Sequence, residues 1–260
     1  MTLDEGKSDA ARKLKGVAWL VGGVLFVLGL VYDIAPLVRL IPWSWEEKIA
    51  EQLPGTPAGK VCSGSEGGRA QLQKLVARLY PLDADDTAFA VHVEIVKNAD
   101  VNAFAGLGGH ITVFSGLLNQ AHSPDELAGF LAHEMEHVKQ RHVLRGALVP
   151  VVSYTMSWLA TGDTSSGAAI TEYLLRMGYS REQEAEADEG GLKRLRRAHV
   201  DTRGFQNFFE RMKKSSSVPA FLSDHPSYES RFEMAAKYQS DDIKPIMTHA
   251  EWLQLQNFCK

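Results

Sequence analysis

The sequence predicts an α+β fold that is predominantly helical, with a small β-sheet and one N-terminal membrane-anchor helix. Three observations lead to this prediction. Residues 17–32 are apolar and uncharged, residues 89–96 follow the two-residue period of a half-buried strand, and two later segments carry helix start signals followed by helical periodicity. A chain of 260 residues is long enough to bury a full hydrophobic core.

The N-terminal apolar segment follows Arg12, Lys13 and Lys15. As a helix, residues 17–32 would span about 24 Å, somewhat less than the roughly 30 Å hydrocarbon core of a bilayer. A cleaved signal peptide is the alternative, but no small-residue cleavage site of the A-x-A type follows. We therefore expect residues 1–16 in the cytoplasm, an uncleaved signal anchor or transmembrane helix at 17–32, and the rest of the chain on the extracytoplasmic (periplasmic) side of the membrane.

Two further segments bear on the membrane. Residues 33–60 are rich in proline and contain Trp43 and Trp45, which suit a membrane interface, so they predict a juxtamembrane connector ahead of a domain at 61–260. Residues 146–160 are apolar but too short to span a bilayer, and Pro150 favours a core or interfacial helix. A membrane-embedded helix is the alternative for this second stretch.

The small sheet is predicted from three short strands. Besides the strand at 89–96, strands near residues 101–105 and 110–114 flank a glycine-rich turn at 106–109. If the sheet leaves an edge free beside the next helix, an extended peptide can pair with that edge through main-chain hydrogen bonds. The candidate substrate-binding residues are Asn102, Ala103, Phe104 and His110. For His110, an ordinary surface residue beside a glycine turn is the alternative.

Two helices with strong start signals follow the sheet. Ser123 is a favourable N-cap, Pro124 suits the first helical position, and Glu126 can complete a capping box. Further along, Ser180 can cap a second helix, with Gln183 three residues later. Side chains spaced by four residues are therefore expected to share a face in both segments.

The most specific chemical signal is the sequence His-Glu-Met-Glu-His at residues 133–137 of the first helix. Both histidines lie on one face, so both imidazoles can bind one zinc ion. Glu134 is turned about 100° from His133, which suits a general base better than a ligand. Glu136 is turned further away and is expected to be solvated. The alternative is a pair of histidines on an ordinary amphipathic helix.

A catalytic zinc site needs a third protein ligand, and the second helix offers two candidates. Glu184 and Asp188 are four residues apart, so one can bind zinc while the other orients a ligating imidazole through its second ring nitrogen. Their spacing does not decide which does which. Glu182, Glu186 and Glu189 are interpreted as solvated, and the basic residues at 193–197 as the complementary C-terminal end of the helix.

Other classes of function are disfavoured. A net charge of −4 argues against nucleic acid as a main partner. The chain has two cysteines, Cys62 and Cys259, which excludes a cysteine-rich zinc ribbon and a scaffold with several disulfides. These two can form one bridge in an oxidising compartment, or both can be thiols.

Four blocks in this order resemble the zinc metallopeptidases of the HtpX, BepA, Oma and CAAX prenyl protease type, a gluzincin family. The blocks are the strand hairpin at 102–118, the HExxH sequence at 133–137, Ser-Arg-x-x-Glu-x-Glu-Ala-Asp at 180–188, and His-Pro-Ser-Tyr-Glu-Ser-Arg at 225–231. The resemblance implies a zincin-like metalloprotease domain that holds one Zn²⁺ per chain. The zinc ligands it implies are His133, His137 and Glu184.

The resemblance also implies roles for four other residues. Glu134 would be the general base, and Asp188 would orient a ligating histidine. His225 would approach the metal from the opposite side, either to stabilise the oxyanion or to occupy the open metal position in a resting state. Arg231 would fix that segment or the developing negative charge.

The implied function is a membrane-anchored zinc endopeptidase in membrane or envelope protein quality control. Its substrates would be misfolded or membrane-associated polypeptides. The alternative is a zinc-containing scaffold or chaperone that binds extended polypeptides without cleaving them. Glu134 favours catalysis, because a structural zinc ion has no need of a base there. The sequence does not predict an oligomeric state.

Overall fold

The computed structural model describes residues 38–53, 58–81, 89–162, 169, 172–173, 177–213 and 234–260. The predicted anchor at 17–32 and the His-Pro block at 225–231 lie outside these ranges. The chain divides into two units, Met1–Pro42 and Trp43–Lys260, and the second contains all the elements below. In the described part of the chain, no helix has both the length and the apolar character needed to cross a membrane.

The described part of the second unit is mainly helical, as predicted. The helices are α1 (Trp43–Gln52), α2 (Glu66–Leu79), α3 (Ser115–Gln120), α4 (Pro124–Lys139), α5 (His142–Thr161), α6 (Arg181–Arg197), α7 (Arg203–Lys213) and α8 (His249–Gln256). The second apolar stretch lies within α5, which contains Pro150. The two capped helices predicted from the sequence are α4 and α6.

The small sheet has four strands in the order β1-β2-β4-β3, formed by β1 (Lys60–Val61), β2 (His92–Lys97), β3 (Ala103–Ala105) and β4 (His110–Phe114). β3 and β4 form the predicted antiparallel hairpin, with Phe104 opposite Thr112. β2 runs parallel to β4, and β1 pairs with the end of β2. β3 therefore lies at one end of the described sheet.

Helix α4 is the centre of the core. It contacts α6, α7 and β3, and its side chains from Glu126 to Val138 are all buried. Phe130 is packed against three phenylalanines of α7, with ring centroids 4.7–5.8 Å apart. Burying each such side chain contributes about 1.5–3 kcal/mol. The HExxH sequence is thus held deep inside the domain.

Helix α1 lies within the segment predicted as a connector, and it packs on the domain. Trp43 stacks on Phe89 at 4.9 Å, and the Arg141 guanidinium lies 4.2 Å from the Trp43 ring centroid. Glu46 accepts hydrogen bonds from Arg141 at 2.9 Å and from the Gly108 backbone N–H at 3.1 Å. Burial raises the pKa of Glu46, although Arg141 acts in the opposite direction. These contacts tie α1 to Arg141, in the turn between α4 and α5.

A disulfide joins Cys62 to Cys259, with the two Cα atoms 5.2 Å apart. The sequence left this pairing open. Next to it, α8 packs on α2, and Lys74 forms a 2.8 Å ion pair with Glu251. The bridge therefore fixes the C-terminal helix to the start of the domain.

Candidate metal centre

Local capping sets the residue at which each of the two helices of the site begins. The Ser123 hydroxyl accepts a 3.3 Å hydrogen bond from the Glu126 backbone N–H at the start of α4. The Glu126 carboxylate accepts from His122, one residue before the position that a capping box would use. At the start of α6, Ser180 and Gln183 form the reciprocal capping box that the sequence predicts.

Three side chains that could bind a metal ion lie close together. His133, His137 and Glu184 each offer one ligand atom, and these atoms all lie within 4.8 Å of one another. The two Nε2 atoms are 2.9 Å apart, and the Glu184 carboxylate oxygens lie 3.7 Å from Nε2 of His133 and 3.4 Å from Nε2 of His137. All three side chains are at most 1% exposed. Two imidazoles and a carboxylate are a ligand set that catalytic zinc uses, so the residues fit the ion by type.

Asp188 lies behind this cluster. Its Oδ1 atom is 2.8 Å from Nδ1 of His133, on the side of the ring opposite the converging Nε2 atoms. Gly191 allows α6 to come this close to α4, because a Cβ there would lie only 3.1 Å from the His133 backbone nitrogen. The geometry therefore favours Glu184 over Asp188 as the third ligand, a choice that spacing left open.

Glu134 follows His133 on α4 and is fully buried. A carboxylate removed from water beside two imidazoles that could bind a metal is in a suitable place for proton transfer. Its role as general base stays a prediction.

The prediction that Glu136 is solvated is wrong. Glu136 is 5% exposed and its Oε1 atom accepts hydrogen bonds from Nε and Nη2 of Arg194 at 2.8 and 2.7 Å. Arg194 also donates to the Leu79 carbonyl at 2.9 Å. The residue interpreted from the sequence as part of a basic helix end is thus buried, and it ties α6 to α4.

The structure adds two residues that the sequence did not single out, His142 and Tyr179, and it gives Glu186 a contact with the first of them. Nδ1 of His137 lies 2.9 Å from Nδ1 of His142, whose Nε2 lies 2.9 Å from Glu186. The Tyr179 ring stacks on His137 with centroids 3.8 Å apart. Glu186 is 50% exposed, as a solvated residue would be, yet it also contacts this buried imidazole. Burial lowers the pKa of His142, and Glu186 opposes that effect.

The remaining predicted residues lie at the sheet or outside the described ranges. Asn102 is buried, and its side-chain oxygen accepts from the Ala103 N–H at 2.9 Å. Ala103 and Phe104 belong to β3, whereas His110 is exposed and lies beside His92, with ring centroids 5.1 Å apart. His225 and Arg231 are outside the described residues.

Comparison with known proteins gives one family. The profile of peptidase family M48 matches residues 68–239. The beta-barrel assembly-enhancing protease of Escherichia coli K12 is 30% identical over 177 residues, which are 61% of this chain and 36% of that protein. The mitochondrial metalloendopeptidase OMA1 of Bos taurus is 31% identical over 161 residues, or 54% of this chain and 31% of the relative. The chain thus spans about a third of the length of these relatives.

Proposed function

Because the chain belongs to peptidase family M48, we propose that it is an endopeptidase that binds one zinc ion through His133, His137 and Glu184. The observation that carries the proposal is the buried convergence of these three side chains, with ligand atoms within 4.8 Å of one another. Glu134, in the same buried region, is the proposed general base.

The proposed reaction is hydrolysis of a peptide bond by water. When bound, zinc supplies a Lewis acid for the scissile carbonyl and lowers the pKa of water to about 7. Glu134 takes the proton from the attacking water and transfers it to the leaving amine. Asp188 holds His133 so that Nε2 faces the metal position, which is the usual role of a carboxylate behind a ligating imidazole.

His225 and Arg231 are proposed to act on the side of the metal opposite the ligands. If His225 stabilises the oxyanion, His225→Ala lowers kcat for a peptide substrate by roughly 100-fold or more, the effect of losing one oxyanion donor. If His225 instead occupies the open metal position in a resting state, the same variant raises activity. Arg231 is proposed to support His225 or the negative charge.

We propose that an extended polypeptide pairs with β3, the strand at the end of the described sheet, near Asn102, Ala103 and Phe104. β3 contacts α4, which carries both histidine ligands. Main-chain pairing would bind substrates with little dependence on their amino-acid sequence.

The test of this pairing uses peptide substrates N-methylated at single positions. Methylation is expected to raise KM at alternate residues, and an equal effect at every residue would contradict pairing in a β ladder. His110, exposed at the start of β4, is the fourth candidate for substrate binding.

The proposed location is the extracytoplasmic face of a membrane, in the periplasm of a bacterium. Residues 1–16 would be cytoplasmic, 17–32 the anchor, 33–60 the juxtamembrane segment and 61–260 the peptidase domain. The basic flank of the apolar segment supports this orientation, and the Cys62–Cys259 disulfide supports an oxidising compartment. This orientation is tested by adding a protease to inside-out and to right-side-out membrane vesicles. The domain at 61–260 should be cleaved in right-side-out vesicles, and its protection there would contradict the proposed orientation.

The proposed role is quality control of misfolded or membrane-associated polypeptides. Two similar proteins are named as peptidases, a beta-barrel assembly-enhancing protease and a mitochondrial metalloendopeptidase.

The function is tested by incubating the full chain with casein, with and without a zinc chelator. Degradation that the chelator stops and added zinc restores is the expected result. Zinc binding without degradation, in a chain lacking His225, would instead indicate the scaffold function.

The third ligand is tested by the zinc content of Glu184→Gln. We expect this variant to lose zinc, while Glu182→Gln, an exposed carboxylate two residues earlier on α6, keeps it. Unchanged zinc content in Glu184→Gln would move the third ligand to Asp188.

A further inference from the structure

We propose that His142 is a positioning residue for His137, and that Glu186 in turn orients His142. This inference rests on the proposed function, since it concerns how one zinc ligand is oriented. His142 is fully buried, and its two ring nitrogens contact different partners. Nδ1 lies 2.9 Å from Nδ1 of His137, and Nε2 lies 2.9 Å from Oε2 of Glu186.

Metal binding at Nε2 of His137 would assign the protons of both imidazoles. For His137 to bind a metal through Nε2, its proton must be on Nδ1, which then donates to His142. His142 must accept at Nδ1, so its own proton is on Nε2, where it is donated to the Glu186 carboxylate. This relay of contacts, from Glu186 through His142 to His137, therefore selects the metal-binding tautomer of His137 and sets the rotation of its ring.

The two histidine ligands are held in different ways. His133 contacts a carboxylate directly, since Asp188 lies 2.8 Å away and is 2% exposed. Nδ1 of His137 contacts the His142 ring instead, and the carboxylate on the far side of that ring, Glu186, is 50% exposed. We infer that His137 is the ligand whose orientation depends on an accessible group.

The backbone explains how His142 reaches His137. Residues five apart on one straight helix do not share a face. Here α4 ends at Lys139, and Arg141 adopts a left-handed φ of +56° before α5 begins at His142. The turn brings the first residue of α5 against the last turn of α4. The ring of Tyr179, stacked on His137, restricts tilting of the imidazole that the relay orients.

The test compares three variants of the full chain. His142→Ala removes the acceptor, and we expect zinc affinity to fall about 10–100-fold, the usual effect of losing a partner of a ligating histidine. His142→Asn can place a side-chain oxygen where Nδ1 was, and it is expected to recover most of that loss. Glu186→Gln keeps an acceptor for His142, so a smaller loss is expected.

Matched controls separate orientation from general disturbance. His122→Ala removes an exposed imidazole, and Asp242→Asn neutralises a carboxylate that lies 2.8 Å from a different imidazole, that of His199. Both controls should bind zinc as the wild type does.

Zinc affinity is measured by competition with a chromophoric chelator, and tautomers by long-range ¹H–¹⁵N spectra of the zinc-loaded chain. In the wild type we expect His142 to carry its proton on Nε2. In His142→Ala saturated with zinc we expect kcat to fall while KM is unchanged. It is overturned if His142→Ala binds zinc as tightly as a wild type that binds and cleaves, or if the asparagine variant is as impaired as the alanine variant. A wild type that binds no zinc would overturn the proposed function as well, so the two failures are distinguishable.

Discussion

Replacing Arg194 with methionine is expected to destabilise the chain by about 3–5 kcal/mol, because it leaves a buried carboxylate without its ionic partner. Arg194 is 3% exposed and Glu136 is 5% exposed. Arg194 donates two hydrogen bonds of 2.7 and 2.8 Å to Glu136 and one of 2.9 Å to the Leu79 carbonyl. Methionine fills much of the same space, so the loss comes mainly from charge and hydrogen bonding.

Thermal unfolding followed by circular dichroism measures this effect. At roughly 2–4 °C per kcal/mol for a domain of this size, Tm should fall by about 6–20 °C. The double variant Glu136→Leu with Arg194→Met should recover much of the loss, since it removes both charges. Lys193→Met is the matched control, because Lys193 is 49% exposed and pairs with an exposed Glu189, so its effect should stay below about 1 kcal/mol. If the free energy of unfolding of Arg194→Met is within about 1 kcal/mol of the wild-type value, Glu136 does not depend on Arg194 as its buried partner.

Three further predictions concern stability. Gly109→Ala should cost more than about 2 kcal/mol, because φ is +80° and a Cβ would collide with the Ala90 carbonyl. Gly162→Ala should cost about 1–2 kcal/mol, because φ is +69° but a Cβ would meet no atom of the described residues within 4 Å. Equal losses of Tm in the two variants would contradict this. Reducing the disulfide, whose cysteines are 197 residues apart, should lower stability by about 2–5 kcal/mol, and an unchanged unfolding midpoint in reductant would argue against the bridge. The hydrogen bond from Lys74 lowers the pKa of Glu251 to about 2, below the unfolded value of about 4.3. Its contribution is therefore present above pH 4.3 and lost toward pH 2, so the Tm difference between wild type and Glu251→Gln should shrink over that range, and a constant difference would contradict it.

Features set by short-range interactions could be predicted from the sequence. The caps at Ser123 and Ser180 act within three residues, so they determine where α4 and α6 begin regardless of the rest of the fold. The four-residue spacing of His133 and His137 likewise fixes a shared helix face. The hairpin β3–β4 follows from alternation around a glycine turn.

Features set by distant contacts could not be predicted from the sequence. Glu136 looks like a solvated carboxylate until α6 brings Arg194 against it, across 58 residues of sequence. Prolines on either side of residues 43–52 indicate a connector, yet this segment forms α1, in which Glu46 pairs with Arg141, 95 residues away. Pairing over such separations depends on how whole helices pack.

The contact between His137 and His142 is a different case, because the two residues are close in sequence. A continuous helix would have kept them apart, and the left-handed turn at Arg141 brings them together. A positive φ at a residue other than glycine is uncommon, and no residue near Arg141 signals it. Burial of Arg141 against Glu46 supports this conformation in the folded chain.

The proposed role of Glu134 as the base of a zinc-dependent peptidase is tested by measuring zinc content and peptide hydrolysis on the same sample of Glu134→Gln. Glutamine has nearly the same shape but cannot accept the proton, so the variant should hold one zinc per chain while hydrolysis falls by at least about 100-fold. Hydrolysis at the wild-type rate with zinc bound would contradict the assignment.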